Sequence, residues 1–400
     1  MNYKNKNINL QGKKIETKMI RGGSIRSNFG ETSEAIYLNS GFCYNSAEIA
    51  ESRFNGEDPG YVYSRYVNPS LKMLEDRLAL LENCESSCVM ASGMAAVFAS
   101  MMAQLKSGDH VIASRVLFGS CYYIVTKILP NYGIEVTLVD GTNVEDWQKA
   151  FKKNTKVVFI ETPANPTLEI IDIAMVSALC KEYSASLIVD NIFSSPYSQN
   201  AFKQGADIVV YSTTKHLDGQ GRTLGGAVMG SAKFIKEVLL PFHRHTGPAL
   251  SPFNAWIIFK SLETFHLRMQ QHCDNALKIA KFLEKHSKIN KIYYPFLQSH
   301  PQHKIALKQM NNGGAMIAFD IIGNKKSCFN FMNSLEVIDI SNNLGDTKSL
   351  ITHPSSTTHS NIALDEQVKM GISQSSCRLS VGIENADDLI DDLRNALDKI

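Results

Sequence analysis

The chain has 400 residues, of which 44% are hydrophobic and 20% are charged, and its 41 basic and 39 acidic residues give a net charge of +2. This composition is typical of a globular enzyme and does not indicate a nucleic acid or a membrane surface as a partner. No apolar run approaches the ~20 residues of a membrane-spanning helix. The first residues also lack a secretory signal pattern, so we expect a cytoplasmic protein.

Cysteine and histidine do not follow the spacing of a metal site. The 8 cysteines form no C-x-x-C pair, which in a chain of this length favours reduced, mostly buried thiols. His243 and His245, like His300 and His303, have no cysteine or carboxylate companions at zinc-like spacing. We therefore expect no bound metal.

The first 70 residues differ in character from the rest of the chain. Residues 1–70 are polar and turn-rich, with no sustained periodicity, and include a lysine-rich stretch from Lys4 to Lys18. We interpret them as an N-terminal extension that is loosely held or packs on another surface. Leucines at helical spacing from Leu71 to Leu81 then predict a helix, and a small-residue helix follows from Ala91 to about Leu105.

Short apolar runs next alternate with amphipathic stretches such as Val144–Phe151 and Met175–Tyr183. Runs rich in valine and isoleucine that do not alternate with polar residues are typical of strands buried on both faces. Strand and helix in alternation predict an α/β domain with a mostly parallel sheet, which we place at residues 71–255. The predicted strands are His110–Ala113, Glu135–Val139, Lys156–Ile160, Leu187–Val189 and Ile208–Val210.

The last part of the chain predicts a smaller α+β domain at residues 256–400. It opens with one long amphipathic helix, Trp256–Leu283, and continues with strands at Ala315–Ile321 and Arg378–Val381. A polar loop at residues 341–361 lies between those two strands. A chain of this length is expected to divide into two or three domains.

Two strand ends carry residues suited to chemistry. The run Leu187–Val189 is followed by Asp190, and the strand at residue 208 continues through Ser212 and Thr214 to Lys215. Pyridoxal phosphate needs an amine for its aldehyde and an anion beside its ring nitrogen. Alone, the aspartate is more often a cap and the lysine a solvated loop residue, but order, spacing and strand context agree.

A phosphate group also needs donors, and the sequence offers two sets. Ser92-Gly93-Met94 opens a helix, where free N–H groups and the helix dipole favour an anion. The hydroxyls of Ser212 and Thr214 precede Lys215 on the same turn. A dinucleotide-binding dehydrogenase is a weaker alternative, because its glycine-rich turn after the first strand is missing.

A series of motifs follows in order from about Arg21 to the C-terminus. These motifs are Tyr63-Ser64-Arg65-Tyr66, Ala91-Ser92-Gly93-Met94-Ala95, Glu161-Thr162-Pro163-Ala164-Asn165-Pro166, Val189-Asp190-Asn191, Ser212-Thr213-Thr214-Lys215, Ser349-Leu350, Thr352-His353-Pro354 and Arg378-Leu379-Ser380-Val381-Gly382. In order and content the chain resembles the Cys/Met-metabolism, or transsulfuration, family of fold-type-I pyridoxal-phosphate enzymes. The resemblance implies an aspartate-aminotransferase-like fold, with a mostly parallel seven-stranded sheet between helices and a smaller C-terminal domain.

The resemblance also implies how the cofactor is held. Lys215 would carry it as a Schiff base and act as the catalytic base, and Asp190 would pair with its ring nitrogen. The phosphate would be held by Gly93, Met94, Ser212 and Thr214. Tyr63 and Arg65 would reach that phosphate from a neighbouring subunit, which implies a homotetramer built from dimers with shared active sites and makes the N-terminal extension an intersubunit arm.

Further residues are implied to contact the substrate. Arg378 would grip the α-carboxylate as a two-pronged donor, helped by Asn165 and Asn343. If the substrate carries a succinyl leaving group, the free carboxylate of that group needs a cationic side chain nearby. Arg222 is the candidate, with Arg53 or Arg115 as alternatives, although Arg222 is equally suited to a structural role.

Three departures from the family pattern favour one branch. Phe118 stands where many members have a tyrosine stacked on the cofactor, Asn343 replaces a serine, and the turn His216–Arg222 replaces a commoner Gly-Gly-His type. These features resemble the O-succinylhomoserine sulfhydrylase branch, which makes homocysteine for methionine biosynthesis from an acylated homoserine and sulfide. Cystathionine γ-synthase, O-acetylhomoserine sulfhydrylase, methionine γ-lyase and an inactive pyridoxal-phosphate binder remain alternatives.

Overall fold

Helices and strands alternate along residues 8–400, the part of the chain that this computed structural model describes. The start of the lysine-rich stretch, with Lys4 and Lys6, lies outside the described residues. The strands are β1 Ser86–Met90, β2 His110–Ser114, β3 Glu135–Val139, β4 Thr155–Glu161, β5 Ser186–Asp190, β6 Ile208–Ser212, β7 Gly226–Gly230, β8 Ile289–Tyr293, β9 Met316–Ile321, β10 Asp339–Ile340, β11 Leu350–Thr352 and β12 Ser376–Ser380.

The helices flank these strands. They are α1 Ile15–Arg21, α2 Ala47–Phe54, α3 Pro69–Glu82, α4 Gly93–Met102, α5 Gly119–Tyr123, α6 Leu129–Asn131, α7 Val144–Ala150, α8 Ile173–Glu182, α9 Ser195–Ser198, α10 Leu240–Thr246, α11 Pro252–Ser261, α12 Phe265–Glu284, α13 His303–Gln309, α14 Lys325–Met332, α15 Leu364–Lys369 and α16 Ala386–Leu397. No helix among residues 8–400 is both long enough and apolar enough to cross a membrane.

Seven strands form the larger sheet, in the order β1-β7-β6-β5-β4-β2-β3. The five strands from β3 to β6 in this order run parallel, whereas β7 pairs antiparallel with both β6 and β1. The mostly parallel sheet predicted from the sequence is therefore confirmed. The carboxyl ends of the parallel strands meet at one edge, where ligands of open α/β sheets bind.

Strand β4 shows why helices cover both faces of this sheet. Its side chains alternate, so that Val157 and Phe159 pack into an apolar cluster with α4, while Val158 and Ile160 pack into another with α3 and α8. Each fully buried side chain of this kind stabilises the fold by roughly 1.5–3 kcal/mol. A sheet that is apolar on both faces is thereby fixed between two helical layers.

The smaller C-terminal sheet has the order β10-β11-β12-β9-β8 and is mostly antiparallel. Cys377 and Leu379 of β12 pack into its apolar core with α12, α14 and α16. Because side chains alternate along a strand, Arg378 between them points to the opposite face. That face borders the carboxyl edge of the larger sheet.

The prediction of one helix over Trp256–Leu283 is wrong, because α11 and α12 are separated by a 3₁₀ turn at Leu262–Thr264. At this turn the Ser261 carbonyl accepts a hydrogen bond from the Arg268 guanidinium, at 3.0 Å. The apolar periodicity continues through the turn, which is why the sequence pattern hides it. The first half of α12 packs on the core of the larger sheet and its second half on that of the smaller one.

Several elements were not predicted, among them β8, β10, β11 (within the predicted polar loop at residues 341–361) and several short helices, as well as two strands of the larger sheet and two helices near the N-terminus. The two antiparallel strands β1 and β7 are rich in serine or glycine, and the helices α1 and α2 lie in the N-terminal extension. Met19 of α1 is buried in the core of the larger sheet, so this part of the extension packs on its own chain. The domain limits at residues 70 and 255 remain predictions.

Candidate active site

A cleft of about 240 Å³ lies at the carboxyl edge of the parallel strands. It is bordered by the ends of β4, β5 and β6, by the start of α4, and by β12 of the smaller sheet. Its lining brings together most of the residues singled out in the sequence, namely Gly93, Met94, Phe118, Asn165, Asp190, Ser212, Thr214, Lys215 and Arg378. Residues more than 280 positions apart thus converge on one site.

Lys215 lies on the turn that follows β6, where its backbone N–H donates to the Ser212 carbonyl at 3.2 Å. Its Nζ atom donates to Asn343 Oδ1 at 2.6 Å, so Asn343 contacts the lysine directly. Burial lowers the pKa of the Lys215 amine to about 8, and the positive charge of Arg378 acts in the same direction. A larger share of this amine is therefore neutral, and able to accept a proton, than for a solvated lysine.

Asp190 ends β5 and is buried at the floor of the cleft. Its Oδ1 atom accepts a hydrogen bond from the Ile192 N–H at 3.1 Å. Glu161 is its register partner on β4, and polar atoms of Asp190, Glu161 and Cys121 lie within 4.8 Å of one another. Burial raises the pKa of Asp190, and burial together with the Asp190 charge raises the pKa of Glu161. Two carboxyls so close in a buried site favour a cationic neighbour.

Glu161 was missed as a site residue by the sequence reasoning. Its carboxylate accepts the backbone N–H of Phe118 on one oxygen, at 2.8 Å, and that of Asn165 on the other, at 2.7 Å. The available signal was an acid at the end of the otherwise apolar run Val157–Ile160. The same signal was used for Asp190 but not for Glu161.

One wall of the cleft consists of the start of α4 and the turn after β6, whose backbones lie in close contact. A Cβ atom on Gly93 would lie 2.6 Å from the Ser212 Cβ, so only glycine allows this close approach. Ser92 caps the helix through its hydroxyl, which accepts the Ala95 N–H. The Thr214 hydroxyl bonds with the backbone of Gly225. Free N–H groups at the helix start and the neighbouring Ser212 hydroxyl make this wall suited to an anion.

Arg378 is buried on β12 and held by two loops. Its Nη1 atom donates to Asn165 Oδ1 at 2.9 Å, and its Nη2 atom donates to the Asn342 carbonyl at 2.9 Å. The Nε atom has no partner among the described residues. A buried guanidinium with an unused donor is suited to binding a carboxylate.

Tyr63 and Arg65 do not line this cleft. They lie beside a separate hollow with Asn39, Leu250 and Pro252, and the Arg65 guanidinium donates to the Arg244 carbonyl. That Tyr63 and Arg65 contact the cofactor phosphate of a neighbouring subunit remains a prediction.

Arg222 is also outside the lining of the cleft. Its guanidinium donates to Asp218 Oδ1 at 2.8 Å, and its backbone N–H donates to Oδ2 of the same carboxylate. Asp218 is fully buried. Of the two roles considered for Arg222, these contacts fit the structural one, since the side chain neutralises Asp218 and closes the turn after Lys215. A contact between Arg222 and the substrate remains a prediction.

A wider hollow of about 710 Å³ adjoins the cleft through Met94 and Thr358. Among the described residues its lining is mostly apolar and contains no lysine, arginine, aspartate or glutamate. It therefore lacks the charged groups of the smaller cleft, which we take as the candidate active site.

Comparison with known proteins agrees with this geometry. A family model described as Cys/Met metabolism PLP-dependent enzyme matches residues 16–398. An O-succinylhomoserine sulfhydrylase of Mycobacterium tuberculosis is 45% identical over 384 residues, 94% of each chain. An L-methionine gamma-lyase of Fusobacterium nucleatum is 41% identical over 388 residues, 96% of this chain and 98% of the relative. A Campylobacter jejuni crystal structure containing N'-pyridoxyl-lysine-5'-monophosphate has a TM-score of 0.92 at 32% identity, covering 96% of this chain and 99% of the other.

Proposed function

Because this chain belongs to the Cys/Met metabolism family of enzymes that depend on pyridoxal phosphate (PLP), we propose that it converts O-succinylhomoserine and sulfide to homocysteine and succinate. The observation that carries the choice of substrate is the 45% identity to an O-succinylhomoserine sulfhydrylase over 94% of both chains. Identity to an L-methionine gamma-lyase is 41%, which makes γ-elimination the second candidate. In the proposed reaction, hydrosulfide replaces succinate at the γ-carbon.

The residues of the cleft fit PLP. We propose that Lys215 forms the Schiff base with the PLP aldehyde, that Asp190 pairs with the ring nitrogen, and that Phe118 stacks on the ring. The phosphate is bound by the wall that contains Gly93, Met94, Ser212 and Thr214. The close approach of Gly93 to Ser212 and the buried Asp190 carboxylate support this assignment. When bound, PLP withdraws electrons from the bonds at the substrate α-carbon, which makes the neighbouring protons acidic.

Lys215 is the proton carrier that this proposal requires. Among residues 8–400, the cleft lining includes no tyrosine and no histidine, and Phe118 offers no hydroxyl at the ring position. The Lys215 amine, with its pKa lowered to about 8 by burial, is placed to take the proton from Cα. We assign the proton transfer at Cβ to the same Nζ atom, with Asn343 Oδ1 holding the amine in its protonated form.

Arg378 and Asn165 position the substrate in this scheme. The Arg378 guanidinium is held in place by a hydrogen bond from each Nη atom, and we assign its remaining N–H donors to the α-carboxylate of the substrate. Within residues 8–400, Lys215 is the one lysine that lines the cleft and Arg378 is the one arginine. Tyr63 and Arg65 lie elsewhere on the chain, and we propose that they complete the site of a partner subunit in a tetramer of two dimers.

A competition assay tests the proposed reaction. The purified enzyme is given O-succinylhomoserine with sulfide and cysteine at equal concentration, and the products are separated. We expect mostly homocysteine. Mostly cystathionine would contradict the choice of sulfide, and release of a thiol from methionine without added sulfide would favour the γ-elimination candidate.

Arg222→Ala is expected to leave the preference between O-succinylhomoserine and O-acetylhomoserine unchanged, because Arg222 pairs with Asp218 outside the cleft lining. We expect a loss of about 1 kcal/mol in the free energy of unfolding, since the arginine is partly exposed and Asp218 keeps its backbone donors. The ratio of kcat/KM for the two esters and a urea melt measure these effects. A large fall in kcat/KM for O-succinylhomoserine alone would indicate that Arg222 contacts the substrate.

A further inference from the structure

Glu161 is a buried carboxylate whose hydrogen bonds go to two different loops. It ends β4 with 3% of its surface exposed. One oxygen accepts the N–H of Phe118, in the loop that follows β2, and the other accepts the N–H of Asn165, in the loop that follows β4. Because Phe118 immediately precedes α5, its N–H has no acceptor within that helix. Glu161 therefore supplies the acceptor that this N–H lacks within the helix.

Each of these loops carries a side chain that lines the cleft. Phe118 is assigned to the ring face of the cofactor. Asn165 accepts the Arg378 Nη1 hydrogen bond at 2.9 Å and so sets the direction of the guanidinium. The path from Glu161 to Arg378 thus contains two hydrogen bonds, at 2.7 and 2.9 Å, with Asn165 between them.

We propose that Glu161 is a positioning residue for both reactants, fixing Phe118 against the cofactor ring with one carboxylate oxygen and Asn165, hence Arg378, toward the substrate carboxylate with the other. This inference rests on the proposed roles of Phe118 and Arg378, but not on sulfide or succinate as reactants. It predicts that both oxygens are needed as acceptors. A glutamine at this position accepts on one side only, because its amide nitrogen is a donor.

Removing the negative charge of Glu161 has an electrostatic effect whose direction can be predicted separately from the loss of positioning. Its carboxyl lies within 4.8 Å of Asp190, and removing a like charge favours the ionised form of Asp190. Removing this negative charge also leaves more of the positive charge of Arg378 uncompensated, so electrostatics alone would tighten carboxylate binding in Glu161→Gln. Loss of positioning acts in the opposite sense on carboxylate binding and also loosens the ring.

The experiment compares Glu161→Gln with the wild type, both loaded with PLP. Visible circular dichroism reports how rigidly the ring is held, and spectral titrations with glycine and with methylamine separate carboxylate binding from amine binding. We expect a weaker dichroic band and a glycine Kd raised about tenfold, which corresponds to one lost hydrogen bond. The methylamine Kd is expected to stay near the wild-type value, because methylamine has no carboxylate for Arg378.

Glu75→Gln is the matched control. Glu75 also accepts a backbone N–H, from Val89 at 3.1 Å, and does not line the cleft. It is expected to leave the dichroic band and the ratio of the two Kd values unchanged. If Glu161→Gln does not fold, Glu161→Asp takes its place with the same expectation, since the shorter side chain cannot reach both N–H groups.

A variant of Glu161 that keeps the wild-type band and the wild-type ratio of Kd values would overturn the inference. A wild-type enzyme that makes no homocysteine, with both effects still present in the Glu161 variant, would contradict the proposed function alone.

Discussion

Replacing Lys215 with alanine is expected to lower the turnover of O-succinylhomoserine by about 10³-fold or more, because one amine serves as both cofactor attachment point and proton carrier. The part of the cleft that one chain provides offers no substitute of the same kind, since its described lining has no histidine, no tyrosine and no second lysine. Steady-state rates measure the loss. Mass spectrometry after borohydride reduction measures the attachment: the wild-type chain is expected to gain the mass of the cofactor, and the variant to gain none.

Lys260→Ala provides the control for this replacement. Lys260 is also partly buried, pairs with Glu34 at 3.1 Å, and does not line the cleft. We expect it to lower stability slightly while both rate and cofactor attachment stay normal. A Lys215→Ala protein that converted O-succinylhomoserine at the wild-type rate would contradict the proposed mechanism.

The sequence predicted the parallel part of the larger sheet because burial on both faces leaves a plain signal. Runs such as Val157–Ile160 are apolar throughout, and helical stretches such as Met175–Tyr183 lie between them. β7, Gly226–Gly230, gave no such signal, because its glycines suit turns equally well and its antiparallel pairing with β1 and β6 depends on distant residues. The break between α11 and α12 was hidden because it interrupts hydrogen bonds but not the apolar pattern.

The site could be predicted where chemistry follows directly from a residue type and its place on a strand. Lys215 and Asp190 are of this kind, whereas Arg378 was identified through the resemblance to the family, and the structure brings all three to one cleft. Glu161 was missed because its carboxylate contacts backbone N–H groups 43 and 4 positions away, and the available signal, an acid at the end of an apolar run, does not show which groups the acid contacts. The role of Arg222 could not be chosen from the sequence, because nothing there shows that Asp218, four positions earlier, is a buried carboxylate paired with it.

Arg378→Lys is expected to raise the KM for O-succinylhomoserine by about 100-fold, with a much smaller change in kcat. The guanidinium spans Asn165 and the Asn342 carbonyl, at 2.9 Å each, and still keeps its Nε donor free. A lysine has a single nitrogen and cannot hold both loops and a carboxylate in one plane. The measurement is kcat and KM at saturating sulfide. An unchanged absorption spectrum of the bound cofactor shows that the defect concerns the substrate.

Arg77→Lys separates loss of substrate binding from the general cost of replacing a buried arginine. Arg77 is fully buried and donates to the Gly22 and Phe259 carbonyls at 2.8 and 2.9 Å, away from the cleft. Its replacement is expected to cost about 2 kcal/mol of unfolding free energy and to leave KM unchanged. If Arg378→Lys lowered stability by a similar amount but kept the wild-type KM, Arg378 would be a structural residue that joins the two loops. The α-carboxylate would then need another partner.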